Sequence, residues 1–326
     1  MSTQQPPCTI TPEILSRVAE IAEQVGRFTA ADAVPLRLSR ENRIRTIQGS
    51  LAIEGNTLST TQITAILEGR RVVAPLREIL EVRNAVKVYD RLPQWNPHSE
   101  KDLLAAHRLL LEGLLDTPGV YRSGGVGIMG AAGVVHVAPP AARVTKLMAD
   151  LFNWLQHTDL HPLVAGSIFH YEFEFIHPFA DGNGRLGRLW HTLLLYRWQP
   201  LFADLPTESM VYARRQDYYK ALNQSTSQSD SAPFISFMLE VIQDTLKTLS
   251  TPQVTPQVTP QVKALLEVLN DEMSRQALMA ALNLTDRKSF RLRYLLPALQ
   301  AGLIEMTLPE KPRSRLQRYR LVESGK

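Results

Sequence analysis

The sequence predicts a mainly α-helical body with one small β-hairpin, joined by a proline-rich spacer to a smaller α+β domain at the C-terminus. Three observations predict this. Before residue 250, apolar residues recur at three- and four-residue spacing, the pattern of helices that bury one face. Gly119 to Pro140 interrupts it with two short valine-bearing stretches around a Gly/Ala-rich turn. Between Thr251 and Val262 the tetrapeptide Thr-Pro-Gln-Val occurs three times in succession. Each proline lacks a backbone donor and restricts the residue before it, so helix does not run through and an extended spacer results.

Leu36 to Glu54 is a helix closed by Gly55-Asn56, residues that tolerate the left-handed conformation at a helix end. Ser59 is the N-cap of the next helix, which finishes near Gly69. Leu103 to Leu115 and Ala142 to Leu155 are amphipathic helices. In Leu163 to Ile176, Val164, Ile168, Phe169, Phe173 and Ile176 keep helical spacing. Val126 to Ile128 and Val134 to Val137 pair as the hairpin. After the spacer, Lys263 to Leu269, Ser274 to Leu282 and Thr285 to Gln300 are three helices, the last closed by Gly302. Leu303 to Thr307 and Arg318 to Val322 are strands flanking Pro309-Glu-Lys-Pro. Three helices followed by a hairpin is the layout of a winged helix.

Composition sets limits on function. The 326 residues, 44% hydrophobic, fill ordinary cores of two or three domains. The start, MSTQQPPCTI, lacks the basic-then-apolar pattern of a secretory signal. No apolar run approaches the roughly 20 residues of a spanning helix, so no membrane contact is expected. The single cysteine, Cys8, excludes an intrachain disulfide. A cytoplasmic location is the simplest expectation. The net charge of +4 is uneven: residues 262–326 hold 12 Lys/Arg against 7 Asp/Glu, which is +5 and leaves −1 for the rest. Polyanion binding therefore concerns the C-terminal segment.

The chemistry is concentrated in His177-Pro-Phe-Ala-Asp-Gly-Asn-Gly-Arg-Leu-Gly-Arg188. Gly182-x-Gly184-x-x-Gly187 matches the dinucleotide-binding fingerprint formally, but that fingerprint needs a preceding strand in a βαβ unit, and here a helix precedes it. A P-loop fails too, since no Gly-Lys-Ser/Thr follows. The segment reads instead as a tight loop between two helices, the second starting near Asn183. Small residues let backbone amides approach an anion, and the helix start adds partial positive charge. Arg185 and Arg188, three apart, project from one side of the first turn toward a polyphosphate. Asp181 offers a hard oxygen to Mg²⁺. His177, with an ordinary pKa near 6.5, suits removal of a hydroxyl proton.

This segment resembles the Fic family signature, His-Pro-Phe-x-Asp/Glu-Gly-Asn-Gly-Arg-x-x-Arg, with every specified position filled. The resemblance runs from about Ile44 to Asp244. It implies a mainly α fold, a Fic-type helical bundle with a β-hairpin flap. The division that follows is an N-terminal helical region at 1–100, a catalytic core at 101–250, a linker at 251–262 and a winged-helix domain at 263–326. The implied activity is a protein adenylyltransferase. His177 would deprotonate a Ser, Thr or Tyr hydroxyl of a target protein, or of the chain itself, for attack on the α-phosphate of ATP. Asp181 would hold Mg²⁺. Gly182, Asn183, Gly184 and Arg185, with Leu186 and Gly187, would line the nucleotide site, and Arg188 would grip the γ-phosphate.

Three further segments match the family. Val134, Val135 and His136 lie in the flap, which pairs with extended backbone of a target. Arg215 to Leu222 resembles the helix on the adenine side, where Tyr218 would pack on the base and Tyr219 would be core. Ser50-Leu-Ala-Ile-Glu-Gly-Asn56 matches the inhibitory motif Ser/Thr-x-x-x-Glu-Gly/Asn. Glu54 would pair bidentately with Arg188 and deny it to the γ-phosphate, or orient a water for AMP removal. Homodimers are common among similar proteins. Other readings stay open: another nucleotide donor, or a nucleotide-sensing DNA-binding regulator. In the C-terminal segment, Arg287, Lys288, Arg291 and Arg293 on one helix, and Lys311, Arg313 and Arg315 in the hairpin, suit DNA phosphates, although winged helices also dock proteins.

Overall fold

Helical periodicity is realised along most of the chain. The structure is a computed structural model that describes residues 5–30, 36–125, 127–130, 133–250, 260–269, 271–300, 303–308, 314 and 316–321. Most of the spacer expected at 251–262, together with Val126, Gly302, Lys311, Arg313 and Arg315, lies outside the described residues. The chain divides into two compact units, Met1–Lys247 and Thr248–Lys326. Residues 1–100 and 101–247 lie in one compact unit. Among the described residues no helix is long and apolar enough to cross a membrane.

The first unit runs α1 (Pro12–Ala30), α2 (Leu36–Ile53), α3 (Thr60–Leu67), α4 (Leu76–Asp90) and α5 (Glu100–Leu110), then strands β1 (Gly127–Gly130) and β2 (Gly133–Val137). It continues through α6 (Ala141–His157), α7 (Pro162–Ile176), α8 (Asn183–Trp198), α9 (Thr207–Ala213), α10 (Arg215–Gln228) and α11 (Ala232–Ser250). α7 and α8 form its centre, with Phe169, Phe173, Trp190 and Leu193 fully buried. That near-continuous apolarity marks helices enclosed on all sides. α2 packs against α8 and, most closely, against α9. Thr46 Oγ1 donates to the Leu205 carbonyl, and Ser209 Oγ donates to the Arg45 carbonyl.

The end of α2 is fixed by its own backbone. The Asn56 amide donates to the Leu51 carbonyl and the Gly55 amide to that of Ala52, with Gly55 left-handed at φ +93°. This double bond pattern needs a residue free of Cβ strain at that position, which glycine supplies. Ser59 caps α3 as expected and forms a reciprocal box with Gln62. β1 and β2 pair antiparallel, with Ile128 opposite His136 and Met129 opposite Val134. Val135 is thus the extra residue of a bulge.

The second unit has its own core around Leu265, Leu278, Phe290, Leu295, Ile304 and Tyr319. Its elements are α12 (Pro260–Val268), β3 (Met273–Ser274), α13 (Arg275–Ala281), α14 (Arg287–Phe290), a π-helical turn (Arg291–Leu295), α15 (Leu296–Gln300), β4 (Ile304–Met306) and β5 (Arg318–Leu321). The sheet order β3-β5-β4 is antiparallel throughout. The two-residue β3 is too short to read from sequence. The helix expected from Thr285 begins two residues later, at Arg287, with the Asp286 side chain accepting from the Lys288 amide.

Candidate active site

Residues 177–182 join α7 to α8 in a loop held at several points. The Phe179 amide donates to Asn183 Oδ1 at 2.9 Å, and Asn183 Nδ2 donates back to the Phe179 carbonyl at 2.8 Å. Asn183 is therefore spent on closing the loop. His177 ends α7 in the left-handed region, φ +49°, a conformation that costs a non-glycine residue about 1–2 kcal/mol. Surrounding bonds must impose it. The first amides of α8, at Asn183, Gly184 and Arg185, have no carbonyl within the helix to donate to, which leaves them for an anion.

Two nucleotide-site expectations fail one turn further on. The Leu186 amide already donates to the Gly182 carbonyl, and its side chain is wholly in the core. Gly187 faces α7, where an added Cβ would meet Glu174, His170 and Phe173. Neither faces the cradle, because helical rotation turns them toward the bundle centre.

Arg188 is almost wholly buried, and its Nη2 lies 2.7 Å from Glu54 Oε1. The same group donates to the Ser50 carbonyl at 2.9 Å, and Nε donates to Ser50 Oγ at 3.3 Å. The contact with Glu54 uses one nitrogen and one oxygen instead of the bidentate fork expected. Ser50 takes Nε and shares Nη2, because its carbonyl lies in the last turn of α2 and has no helical partner. Burial opposes the Arg188 charge, but Glu54 holds it above the ordinary guanidinium range. Gly184 is where space decides the geometry: a Cβ there would overlap the Glu54 carboxylate and lie 3.0 Å from Arg188 Nη1. The carboxylate thus sits against the start of α8.

Arg185 turns to α4 instead. Its Nη2 lies 3.0 Å from Asp181 Oδ1 and its Nη1 3.4 Å from Glu81 Oε1. Asp181 also accepts from the Gly182 amide at 2.6 Å and from Arg77 at 3.2 Å. Among the described residues no group of three or more His, Cys, Asp or Glu could hold a metal ion. A hard cation here would combine the Asp181 oxygen with substrate phosphate and water, a donor set usual for Mg²⁺.

The two tyrosines exchange places relative to expectation. Tyr218 is 1% exposed, its hydroxyl 3.2 Å from His170 Nε2, so it is core; Tyr219 is 44% exposed. At i and i+1, tyrosines point about 100° apart, and the sequence does not say which faces in. Val134, Val135 and His136 lie on β2 as expected, their side chains outside the described residues.

Three residues that sequence reasoning missed hold the loop from behind. Buried Arg122 donates Nε to the His177 carbonyl at 2.7 Å and Nη2 to those of Pro139 and Ile176 at 2.6 and 3.2 Å. His107 stacks on Phe179 at 3.7 Å, accepts from the Gly119 amide at Nδ1 and bonds the Asp181 carbonyl through Nε2. Burial pulls its pKa down to about 4, so the ring is neutral and Nε2 carries the proton. Glu174, three residues before His177, places Oε2 3.9 Å from His177 Nδ1. Burial pushes its pKa up to about 8, against the opposing pull of Arg188. None of the three belongs to a motif, so no sequence signal singled them out.

A helical bundle, a two-stranded hairpin and an anion cradle at a helix start, closed by a carboxylate from a neighbouring helix, define the class of this domain. The Fic/DOC family model matches residues 97–195, and the model for the C-terminal domain of the filamentation induced by cAMP protein Fic-like matches residues 260–322. The crystal structure of a Fic family protein from Desulfovibrio desulfuricans G20 is 54% identical, covers 99% of both chains and superposes with a TM-score of 0.75. The protein adenylyltransferase Fic of Nematostella vectensis is 31% identical over 246 residues, 72% of this chain and 55% of that one. Its counterpart from Culex quinquefasciatus is 34% identical over 242 residues, 71% and 46% of the two chains. The chain thus spans about half the length of these curated relatives. It belongs to the Fic family.

Proposed function

We infer that the protein transfers AMP from ATP to a hydroxyl side chain of a protein, itself included, and that Glu54 restrains it. The carrying observation is the Glu54–Arg188 contact at the start of α8, with Glu54 filling the space beside Gly184. A carboxylate in the cradle is the chemical stand-in for a phosphate oxygen, which identifies what the cradle suits. The relatives named protein adenylyltransferase support the choice of AMP.

With Glu54 displaced, Arg188 would take the γ-phosphate, and the amides of Asn183 and Gly184 with Arg185 would neutralise charge developing on the phosphates. His177 would accept the acceptor hydroxyl proton as that oxygen bonds to the α-phosphorus. The bond from the α-phosphorus to the bridging oxygen breaks, and pyrophosphate leaves. Asp181 would hold Mg²⁺, which supplies charge neutralisation on the phosphates. Tyr219, the exposed aromatic of α10, would pack on the base in place of Tyr218. Extended backbone of the target would add to the β1–β2 hairpin.

Incubating the wild type, Glu54→Gly and Glu54→Gly/His177→Ala with each nucleoside triphosphate labelled at the α-phosphate tests this. Incorporation from ATP is expected to rise in Glu54→Gly and to fall about 10²–10⁴-fold when the base is also removed. Equal incorporation in all three would exclude the assignment, and preference for another nucleotide would move the donor.

The second unit supports a separate reading, contact with DNA. Arg287 and Lys288 on α14 and Arg291 at the start of the π-helical turn are exposed, and no acidic partner holds them among the described residues. Arg320 on the sheet, by contrast, is paired with Glu305 and Glu272. Unpaired cations on a recognition helix suit phosphates.

A further inference from the structure

Arg122 has a position that neither the cradle nor the inhibitory contact accounts for. It lies between α5 and β1, buried, and its partners are main-chain carbonyls. Nε donates to His177 at 2.7 Å, Nη1 to Gly124 at 2.9 Å, and Nη2 to Pro139 at 2.6 Å and Ile176 at 3.2 Å. Its own amide donates to the Pro178 carbonyl at 2.9 Å. Gly124 and Pro139 are the two feet of the hairpin, just before β1 and just after β2. Ile176, His177 and Pro178 are three successive residues at the end of α7 and the start of the loop.

A buried guanidinium needs compensation for lost hydration, and here carbonyl dipoles provide it. The carbonyls at the end of α7 have no helical partner and carry the negative end of the helix dipole, so a cation is favoured there. The planar fork lets one side chain reach four carbonyls in different directions; a lysine ammonium, a single point with three donors, does not reproduce that. The left-handed His177 backbone is held from two sides, by its own amide to Phe173 and by Arg122 at its carbonyl.

We propose that Arg122 is a positioning residue that fixes the feet of the hairpin to the backbone of His177, so that acceptor docking and base orientation are set through one guanidinium. This rests on His177 being the base. The acceptor it serves is an extended protein segment laid along the hairpin. Strand addition moves the hairpin feet, and the His177 backbone follows because both hang on the same fork.

The test compares Glu54→Gly with Glu54→Gly/Arg122→Lys in the full chain. The expected result is a fall of about 10- to 100-fold in kcat for AMP transfer, the scale of an ångström-level misplacement of a reacting group, with ATP affinity unchanged. Amide exchange in peptides spanning 123–139 and 173–181 should rise together, while the rest of the chain keeps the parent's protection. Unaltered transfer, loss of ATP affinity in step with transfer, or exchange rising in only one of the two segments would each overturn the proposal. If Glu54→Gly itself transfers no AMP, the functional reading fails, and the paired exchange result alone decides whether Arg122 couples the segments. If the lysine variant does not fold, replacing residues 127–137 by a glycine-serine loop with Arg122 intact takes its place. Faster exchange at the His177 amide then supports the coupling, and unchanged exchange overturns it.

Discussion

Replacing Glu54 with glycine removes the carboxylate from Arg188 and leaves the rest of the cradle standing. Breaking a fully buried pair by deleting one partner costs about 3–5 kcal/mol, whereas a fully exposed pair is worth about 0–1 kcal/mol. Here the guanidinium is buried, the Glu54 side chain is 37% exposed, and two Ser50 oxygens stay on the guanidinium. Solvent screening of the half-open carboxylate and those retained bonds place the loss at about 1–2 kcal/mol. For a unit of this size that lowers the melting midpoint by about 2–8 °C without nucleotide.

The same energy becomes available to ATP, so affinity should rise about 5- to 30-fold. Calorimetric titration with Mg-ATP and melting with and without it measure both sides of the exchange. The variant should start less stable and gain more from nucleotide than the wild type. Glu54→Gln, which keeps a neutral acceptor, should fall between. Equal ATP affinity in wild type and Glu54→Gly would refute the claim that this carboxylate competes with a phosphate for Arg188.

Three further outcomes are expected. Because burial raises the Glu174 pKa from 4.5 to about 8, the folded state holds that proton across this window and loses stability as pH climbs through it. Glu174→Gln should flatten the fall of the melting midpoint between those values by one proton's worth, about 1.4 kcal/mol per pH unit. Gly184→Ala places a methyl group where the Glu54 carboxylate sits, so it should displace the carboxylate and yet reduce transfer even in the Glu54→Gly background, because the cradle itself is narrowed. Replacing Arg287, Lys288 and Arg291 together by alanine should reduce the slope of log affinity for duplex DNA against log salt by about 3, which anisotropy across a salt series reads directly.

The sequence disclosed the elements whose patterns are local. α2 closes at Gly55 because a left-handed glycine is required there, and Ser59 caps α3 because its oxygen reaches the third amide. The loop from His177 to Arg188 was legible because every chemically distinctive group falls within twelve residues. What escaped are contacts made across the chain. Arg122 and His107 bond carbonyls 54 to 74 positions away, and carbonyls carry no sequence identity. Tyr218 and Tyr219 were exchanged because α10 is polar on average and its sequence alone does not orient it; only packing of Tyr218 against Phe234 and Phe237 does so. The bidentate fork gave way to a single contact for a similar reason, since the free carbonyl of Ser50 competes for the same guanidinium.

That competition bears on how a restraint can be both firm and reversible. A carboxylate buried with Arg188 and supplied with no alternative would leave an unsatisfied cation on departure, at a cost of several kcal/mol. Ser50 removes most of that penalty by keeping two bonds on the guanidinium whether or not Glu54 is present. The helix that presents Glu54 need not move either: Gly55 and Asn56 lock its end, and Thr46 and Arg45 bind it to the segment around α9. Only the glutamate side chain has to rotate, and it is already partly in solvent. If Glu54 restrains transfer as proposed, ligands that supply about 1–2 kcal/mol of differential interaction would release it, within the usual range of coupling between sites. The pairing of a fixed helix with one partly exposed carboxylate therefore suits release by nucleotide or partner binding, without unfolding any part of the bundle.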